Sequence, residues 1–261
     1  LTDELEVFYG GAAGGGKSFA LLMAALQYVE AENYHALLLR RTFSDLVLPD
    51  ALMDLSLKWL YQTDARPKDG GKSWIFPSGA TLTFGYLDSE NQKHRYDSSQ
   101  FHFIGFDELT QFSETQYEYL FSRLRKEAGS EIPLRMRSAS NPDGIGHEWV
   151  KRRFINSGRV FIPAILEDNP FIDSEEYEES LKKLDAVTYR QKRFGDWDVL
   201  PEGNLFNRSW FKIVDDYPRD FNRIVRFWDM AATEAKKGHD PDWTSGTLMC
   251  EKDGQYWIID V

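Results

Sequence analysis

The chain has 261 residues and a formal net charge of −11, with 42% hydrophobic and 15% aromatic residues. That is room for one large domain or one and a half ordinary ones, and it excludes a disordered chain. No apolar run approaches the roughly 20 residues that span a bilayer. Leu1-Thr2-Asp3-Glu4 carries no basic segment of a secretory signal, and the single Cys250 excludes an internal disulfide or a cysteine-based zinc site, which suits a reducing cytosol. With no initiator Met, the chain reads as a fragment that starts close to its first strand.

Val7-Phe8-Tyr9 reads as a strand and Phe19 to Leu26 as an apolar helix. Between them, Gly10-Gly11-Ala12-Ala13-Gly14-Gly15-Gly16-Lys17-Ser18 contains the G-x-x-x-x-G-K-[ST] pattern from Gly11 to Ser18. Backbone N–H groups can wrap an anion only where no Cβ intrudes and positive φ is allowed, hence the glycines. The following helix aims its positive end at the same phosphates. Lys17 is expected to reach β- and γ-phosphate oxygens and the Ser18 hydroxyl to ligate Mg²⁺, so the loop implies ATP or another nucleoside triphosphate. A flexible glycine linker that happens to contain Lys-Ser is the competing reading, and the strand–loop–helix context disfavours it.

Ala36 to Leu39 reads as a buried strand ending at Arg40-Arg41, and Phe43 to Leu60 as a helix interrupted early by Pro49. Trp74 to Phe84 reads as a β-hairpin turning at Pro77-Ser78-Gly79. Phe101 to Phe106 is a short apolar strand running into Asp107 and Glu108. Asp107 is expected to hold Mg²⁺ and Glu108 to polarise the attacking water. Many strands end in acidic caps, but about 90 residues past a phosphate loop the pair is informative. Ser113 starts a helix with Gln116 as capping-box partner. Leu134 to Ala139 is a strand with Arg135 and Arg137 on one side, ending in Ser138-Ala139-Ser140-Asn141-Pro142, where a small polar group could sense the γ-phosphate or simply stop a turn.

Helices are expected at 147–155, 174–183 and 186–194. Turn-rich Pro201 to Asn204 and Tyr217 to Asp220 then mark a linker over 201–221, separating a first domain, 1–200, from a second, 222–261. The second reads as strand, loop, strand, turn, strand, and is too short for a core of its own. Alternating strands and helices give an α/β fold with a mainly parallel sheet. The acidic balance is awkward for a nucleic-acid binder, so any DNA contact must be a local patch or be built from several subunits around a duplex. Lys151-Arg152-Arg153 and the group Lys182, Lys183, Arg190, Lys192 and Arg193 are the obvious basic clusters, each equally a solvated helix face.

On Tyr9 to Ser18, Phe106-Asp107-Glu108 and Ser140-Asn141-Pro142, the chain resembles the large terminase subunits, the DNA-packaging motors of tailed bacteriophages and herpesviruses. Asp168-Asn169-Pro170 with Tyr177 and Leu181, Gly195-Asp196-Trp197-Asp198, and Arg226 to Ala231 extend the resemblance over the whole length. It implies an additional-strand, RecA-like P-loop ATPase that drives duplex DNA into a procapsid, followed by the truncated start of an RNase H-like nuclease. It further implies a portal protein, a small terminase subunit and a homo-oligomeric ring as partners, and a place in the host cytoplasm rather than the mature virion. Lys17 and Ser18 would bind phosphate and metal, Asp107 metal, and Glu108 the water, with Ser140 and Asn141 coupling. Asp229 would be the first ligand of a nuclease using two Mg²⁺ or Mn²⁺ ions.

Two departures matter. Many relatives carry an arginine inside the loop where this chain has Ala12 and Ala13, so an arginine must come from elsewhere. Arg95 lies where relatives place such a finger, with Arg40, Arg41, Arg123 and Arg125 as competitors. The chain also ends near the second or third nuclease strand. Asp240 and Asp242 are the nearby acids, and no DNA cleavage is expected. Other classes remain open: a RecA-like helicase, which usually needs two cores, and a nucleotide-dependent scaffold, which Glu108 argues against.

Overall fold

In the computed structural model the described residues are 3–199, 211–214, 216–230 and 244–261. The chain divides into two units, Leu1–Pro201 and Glu202–Val261.

The first unit is built on an eight-stranded sheet of order β3-β4-β5-β2-β6-β7-β1-β8. Its strands are β1 Glu6–Gly11, β2 His35–Arg40, β3 Arg66–Lys68, β4 Ser73–Ile75, β5 Thr81–Tyr86, β6 Phe103–Asp107, β7 Arg135–Ser140 and β8 Val160–Ala164. From β5 to β8 every neighbouring pair is parallel; β3 and β4 add an antiparallel edge. The decisive feature is β7, which lies between β1 and β6. It therefore inserts Ser140 and Asn141 between the glycine loop and the acidic strand end.

Helices α1 Lys17–Ala25, α2 Phe43–Val47, α3 Leu52–Leu60, α4 Glu114–Phe121, α5 His147–Val150, α6 Ser174–Leu181 and α7 Ala186–Phe194 complete the unit. Alternation along the parallel strands supplies two cores, one per face. Leu37, Leu39, Ile104, Phe106 and Met136 face Tyr117, Leu120, Trp149 and Phe154. Ala36, Leu38, Leu82 and Phe103 face Leu21, Leu22, Leu52 and Leu55. Truncating a fully buried leucine such as Leu38 to alanine costs about 2–5 kcal/mol.

The expected single helix over 43–60 is two. Thr42 caps α2 in a reciprocal box with Asp45, and Leu48, forced extended by Pro49, ends it. Strands β3 and β8 were not expected: both are sheet edges carrying a proline, Pro67 and Pro163, which dilutes their apolar signal. The 147–155 helix continues from α5 as a π-helical turn, Lys151–Ile155. The hairpin, the Ser113–Gln116 capping box and the helices over 174–181 and 186–194 form as expected, within two residues.

The second unit is an antiparallel sheet of order β11-β10-β9, from β9 Arg223–Asp229, β10 Ser245–Lys252 and β11 Gln255–Asp260. Asp253 (φ 51°) and Gly254 (φ 80°) make the tight turn expected of Asp-Gly. Asp240 and Asp242 lie outside the described residues.

Candidate phosphate-binding and hydrolysis site

The glycine loop joins β1 to α1 at the carboxyl end of the sheet, where ligands of open α/β sheets collect. Gly16 stands at the helix start in the left-handed region (φ 72°), and no side chain caps α1. The N–H groups of its first turn are thus left to an external acceptor. The loop itself is held from the distal segment: Ala164 O accepts from Ala12 N at 2.8 Å, and Lys192 O accepts from Ala13 N at 2.6 Å. Asn169 Nδ2 donates to Gly14 O at 2.7 Å and Tyr9 OH to Gly15 O at 2.6 Å. Gly195 (φ 63°) closes on the loop so tightly that a Cβ there would lie 2.5 Å from Gly11 Cα. Asn169, Gly195 and their neighbours thus have a physical role, since they brace the cradle.

Lys17 is buried. Its Nζ donates to Ala12 O and, at 2.8 Å, to Asn141 Oδ1. Burial lowers its pKa to about 8, opposed by the nearby carboxylates of Glu108 and Asp107. Ser18 Oγ lies 3.1 Å from both carboxylate oxygens of Asp107. Burial raises the pKa of Asp107 to about 6, with the Arg40 guanidinium pulling the other way. A hydroxyl and a carboxylate converging as hard oxygen donors fit Mg²⁺, which takes few protein ligands and keeps water on its other sites. Among the described residues no cluster of three or more His, Cys, Asp or Glu side chains could hold a metal ion.

Glu108 takes left-handed backbone angles (φ 56°, ψ 56°), a strain that a non-glycine residue pays where its placement matters. Its carboxylate lies 3.4 Å from Ser140 Oγ and 3.6 Å from Arg40 Nη1. Arg40 Nη1 is also 3.1 Å from Asp107 Oδ2, yet neither Nη1 nor Nε makes a hydrogen bond, so this contact is electrostatic rather than directional. Ser140 Oγ and Thr110 Oγ1 are 2.7 Å apart, and Thr110 Oγ1 donates to Asn141 O at 3.3 Å. The turn after β7 is tied down by His147, whose Nδ1 and Nε2 are each 3.1 Å from a carbonyl oxygen, that of Pro142 and that of Trp197.

Loop, Lys17, Ser18, Asp107, Glu108, Ser140 and Asn141 therefore converge, and Arg40 joins them. Arg95 does not: it is exposed, with its guanidinium 4.7 Å over the Tyr86 ring. Arg41 reaches Leu87 O and Gln116, while Arg123 and Arg125 reach the carbonyls of Asp97 and Ser99. Thr110, His147 and Trp197 were not singled out for roles in this site, because nothing in their local spacing distinguishes them from ordinary core and turn residues. In the second unit, Asp229 ends β9 opposite Ser245. No helix among the described residues is long and apolar enough to cross a membrane.

A parallel sheet with one strand added between loop strand and acidic strand, and this site at its carboxyl end, define an additional-strand P-loop fold. The chain belongs to the large terminase subunits: the family model for the T4likevirus-type large subunit, N-terminal part, matches residues 8–213. The chain is similar in fold to the large terminase of the thermophilic bacteriophage D6E (TM-score 0.63, 14% identity, covering 99% of this chain and 64% of that one). The same D6E protein in complex with ADP gives TM-score 0.59 at 16% identity, covering 97% and 63%. The HK97 bacteriophage large terminase gives 0.57 at 13% identity, covering 98% and 58%. The chain thus spans less than two-thirds of the length of these proteins. No curated protein sequence matches it.

Proposed function

We propose that the first unit is the ATP-hydrolysing motor of viral DNA packaging, translocating duplex DNA into a procapsid. The observation that carries this reading is the double convergence of Ser18 Oγ on Asp107, 3.1 Å from each oxygen, and of Lys17 Nζ on Asn141 Oδ1 at 2.8 Å. The D6E relative has been obtained with ADP and with ATP-γ-S, which supports nucleotide binding by the matching loop here.

In this reading the N–H groups from Gly14 to Ser18 and the Lys17 ammonium cradle the β- and γ-phosphates, while Ala12 N and Ala13 N hold the loop to Ala164 O and Lys192 O. Ser18 and Asp107 would hold Mg²⁺, whose charge would offset that of the phosphate oxygens. Glu108 accepts the proton of a water whose oxygen attacks the γ-phosphorus as the bond to the β–γ bridging oxygen breaks. Ser140 and Asn141 touch both Glu108 and Lys17, so they register whether the γ-phosphate is present and pass that state to the turn held by His147.

Ala12 and Ala13 leave the loop without an arginine of its own. Arg95 lies over the Tyr86 ring, and we assign it to a neighbouring subunit's nucleotide in a ring assembled on the portal protein, with the small terminase subunit as a further partner. Arg95→Ala should then abolish turnover and leave ATP binding intact. The second unit, with Asp229 as first metal ligand, begins an RNase H-like two-metal nuclease. Plasmid nicking by this chain that Asp229→Ala removes would contradict the expectation that it does not cut. Phosphate release that rises with duplex DNA or procapsids tests the motor reading; hydrolysis indifferent to both would reject it.

A further inference from the structure

The basic clusters that stand out in the sequence are mostly paired with acids of the same chain. Lys151 pairs with Asp198 at 2.8 Å, Arg152 with Glu114 at 2.5 Å, and Arg153 with Glu6 at 2.6 Å. Lys182 pairs with Glu179 at 2.7 Å, Arg190 with Asp196 at 2.6 Å, Lys192 with Asp143 at 2.5 Å, and Arg193 with Glu167 at 2.6 Å. Every cation there except Lys183 is matched to an acid, so these surfaces carry little net field.

The antiparallel edge of the same sheet is different. Arg66 and Lys68 are exposed on the edge strand β3, and Lys68 is in register with Ser73, next to Lys72. Lys72 Nζ lies 5.3 Å over the Phe43 ring, Phe43 packs on Tyr86 with centroids 6.0 Å apart, and Arg95 lies 4.7 Å over the other partner of that pair, Tyr86. No carboxylate lies within ion-pair distance of Arg66, Lys68, Lys72 or Arg95 among the described residues. The carboxylate within this segment, Asp69, is turned to Ser73 Oγ at 3.5 Å. A cation laid on an aromatic face is held in place without being neutralised. In a chain of net charge −11 this edge is a directed positive surface.

We infer that Arg66, Lys68 and Lys72 form the contact face for the phosphate backbone of double-stranded DNA, a surface that rests on, and sharpens, the motor reading above. The partner is the duplex backbone rather than unpaired bases, because Phe43 and Tyr86 meet at a 60° tilt and each already carries a cation on a ring face, so they do not form a row of open stacking platforms. Binding of this kind is independent of sequence and strongly salt-dependent. The bland alternative is that lysine, arginine and Pro67 merely blunt an exposed strand edge.

The test is fluorescence anisotropy of a labelled duplex with the whole chain between 50 and 200 mM salt, comparing wild type with R66A/K68A/K72A. Removing three phosphate-neutralising cations lowers the slope of log K against log[salt] by about 2 to 3 and the affinity at physiological salt at least about tenfold. ATP hydrolysis without DNA should be unchanged, R66K/K68R/K72R should restore binding, and the ion-paired control R152A/K182A/R190A should bind like wild type. Wild-type slope in the alanine variant, including a variant that self-associates but still binds, would overturn the inference and favour edge protection. So would equal losses in variant and control, or at least a tenfold preference of wild type for single strands. A wild type that hydrolyses ATP but binds no duplex would instead remove the DNA-motor reading itself.

Discussion

Lys17 Nζ donates to Asn141 Oδ1 across 2.8 Å, joining two residues 124 positions apart, one in the helix after β1 and the other at the end of β7, the strand beside it. This bond and the one to Ala12 O take two of the three donors of the ammonium that the phosphates of ATP would claim, so in the proposed mechanism a nucleotide competes with Asn141 for it.

Asn141→Ala frees the lysine but deletes the reporter. ATP affinity should change less than about threefold, while kcat falls about tenfold, or about 1.4 kcal/mol. Equilibrium binding of a fluorescent ATP analogue beside steady-state phosphate release separates the two. A large loss of affinity with unchanged kcat would assign Asn141 to binding instead.

Arg40 stands between Asp107 and Glu108 at 3.1 and 3.6 Å, and removing it leaves two neighbouring carboxylates without that cation. Breaking a buried ion pair from one side costs about 3–5 kcal/mol. The Arg40 side chain retains 19% of its exposure, which places Arg40→Ala at the low end, about 3 kcal/mol. Urea unfolding should show that loss without metal, and Mg²⁺ with ATP-γ-S should recover more stability in the variant than in wild type. A loss below about 1 kcal/mol would mean that solvent already screens the pair.

Gly195 reaches the loop with φ 63° and no room for a Cβ, which would sit 2.5 Å from Gly11 Cα and 2.6 Å from Ala12 N. Gly195→Ala combines a left-handed backbone cost of about 1 kcal/mol with displacement of rigid backbone, so at least about 2 kcal/mol should be lost. Nucleotide affinity should fall with it, because the same segment supplies the carbonyl that holds Ala13 N. Wild-type affinity in a folded Gly195→Ala chain would show that the brace is dispensable.

Legibility followed the range of the interactions. The loop from Gly11 to Ser18 and the Asp107–Glu108 strand end could be read from sequence because each is local: a turn chemistry and a strand tip. The Thr42–Asp45 and Ser113–Gln116 boxes are local in the same way, though only the second was anticipated. Strand β8, by contrast, is an edge with Pro163 in it and partly exposed residues, so its apolar run resembled a loop. Arg40, Thr110 and His147 meet the site only through strand order, which no spacing encodes. The ion pairs of the basic clusters divide the same way: Glu179 lies three residues from Lys182, whereas Glu114 is 38 positions from Arg152 and meets it only through the fold.

In the proposed mechanism Glu108, 3.4 Å from Ser140 Oγ, is the base of an ATP hydrolysis site whose binding half is the Gly11–Ser18 loop. The decisive measurement is phosphate release by Glu108→Gln, with ATP binding measured on the same sample. Binding should stay within about threefold of wild type while turnover falls at least about a hundredfold, within the range of general-base removal. Undiminished turnover in that variant would rule out Glu108 as the base.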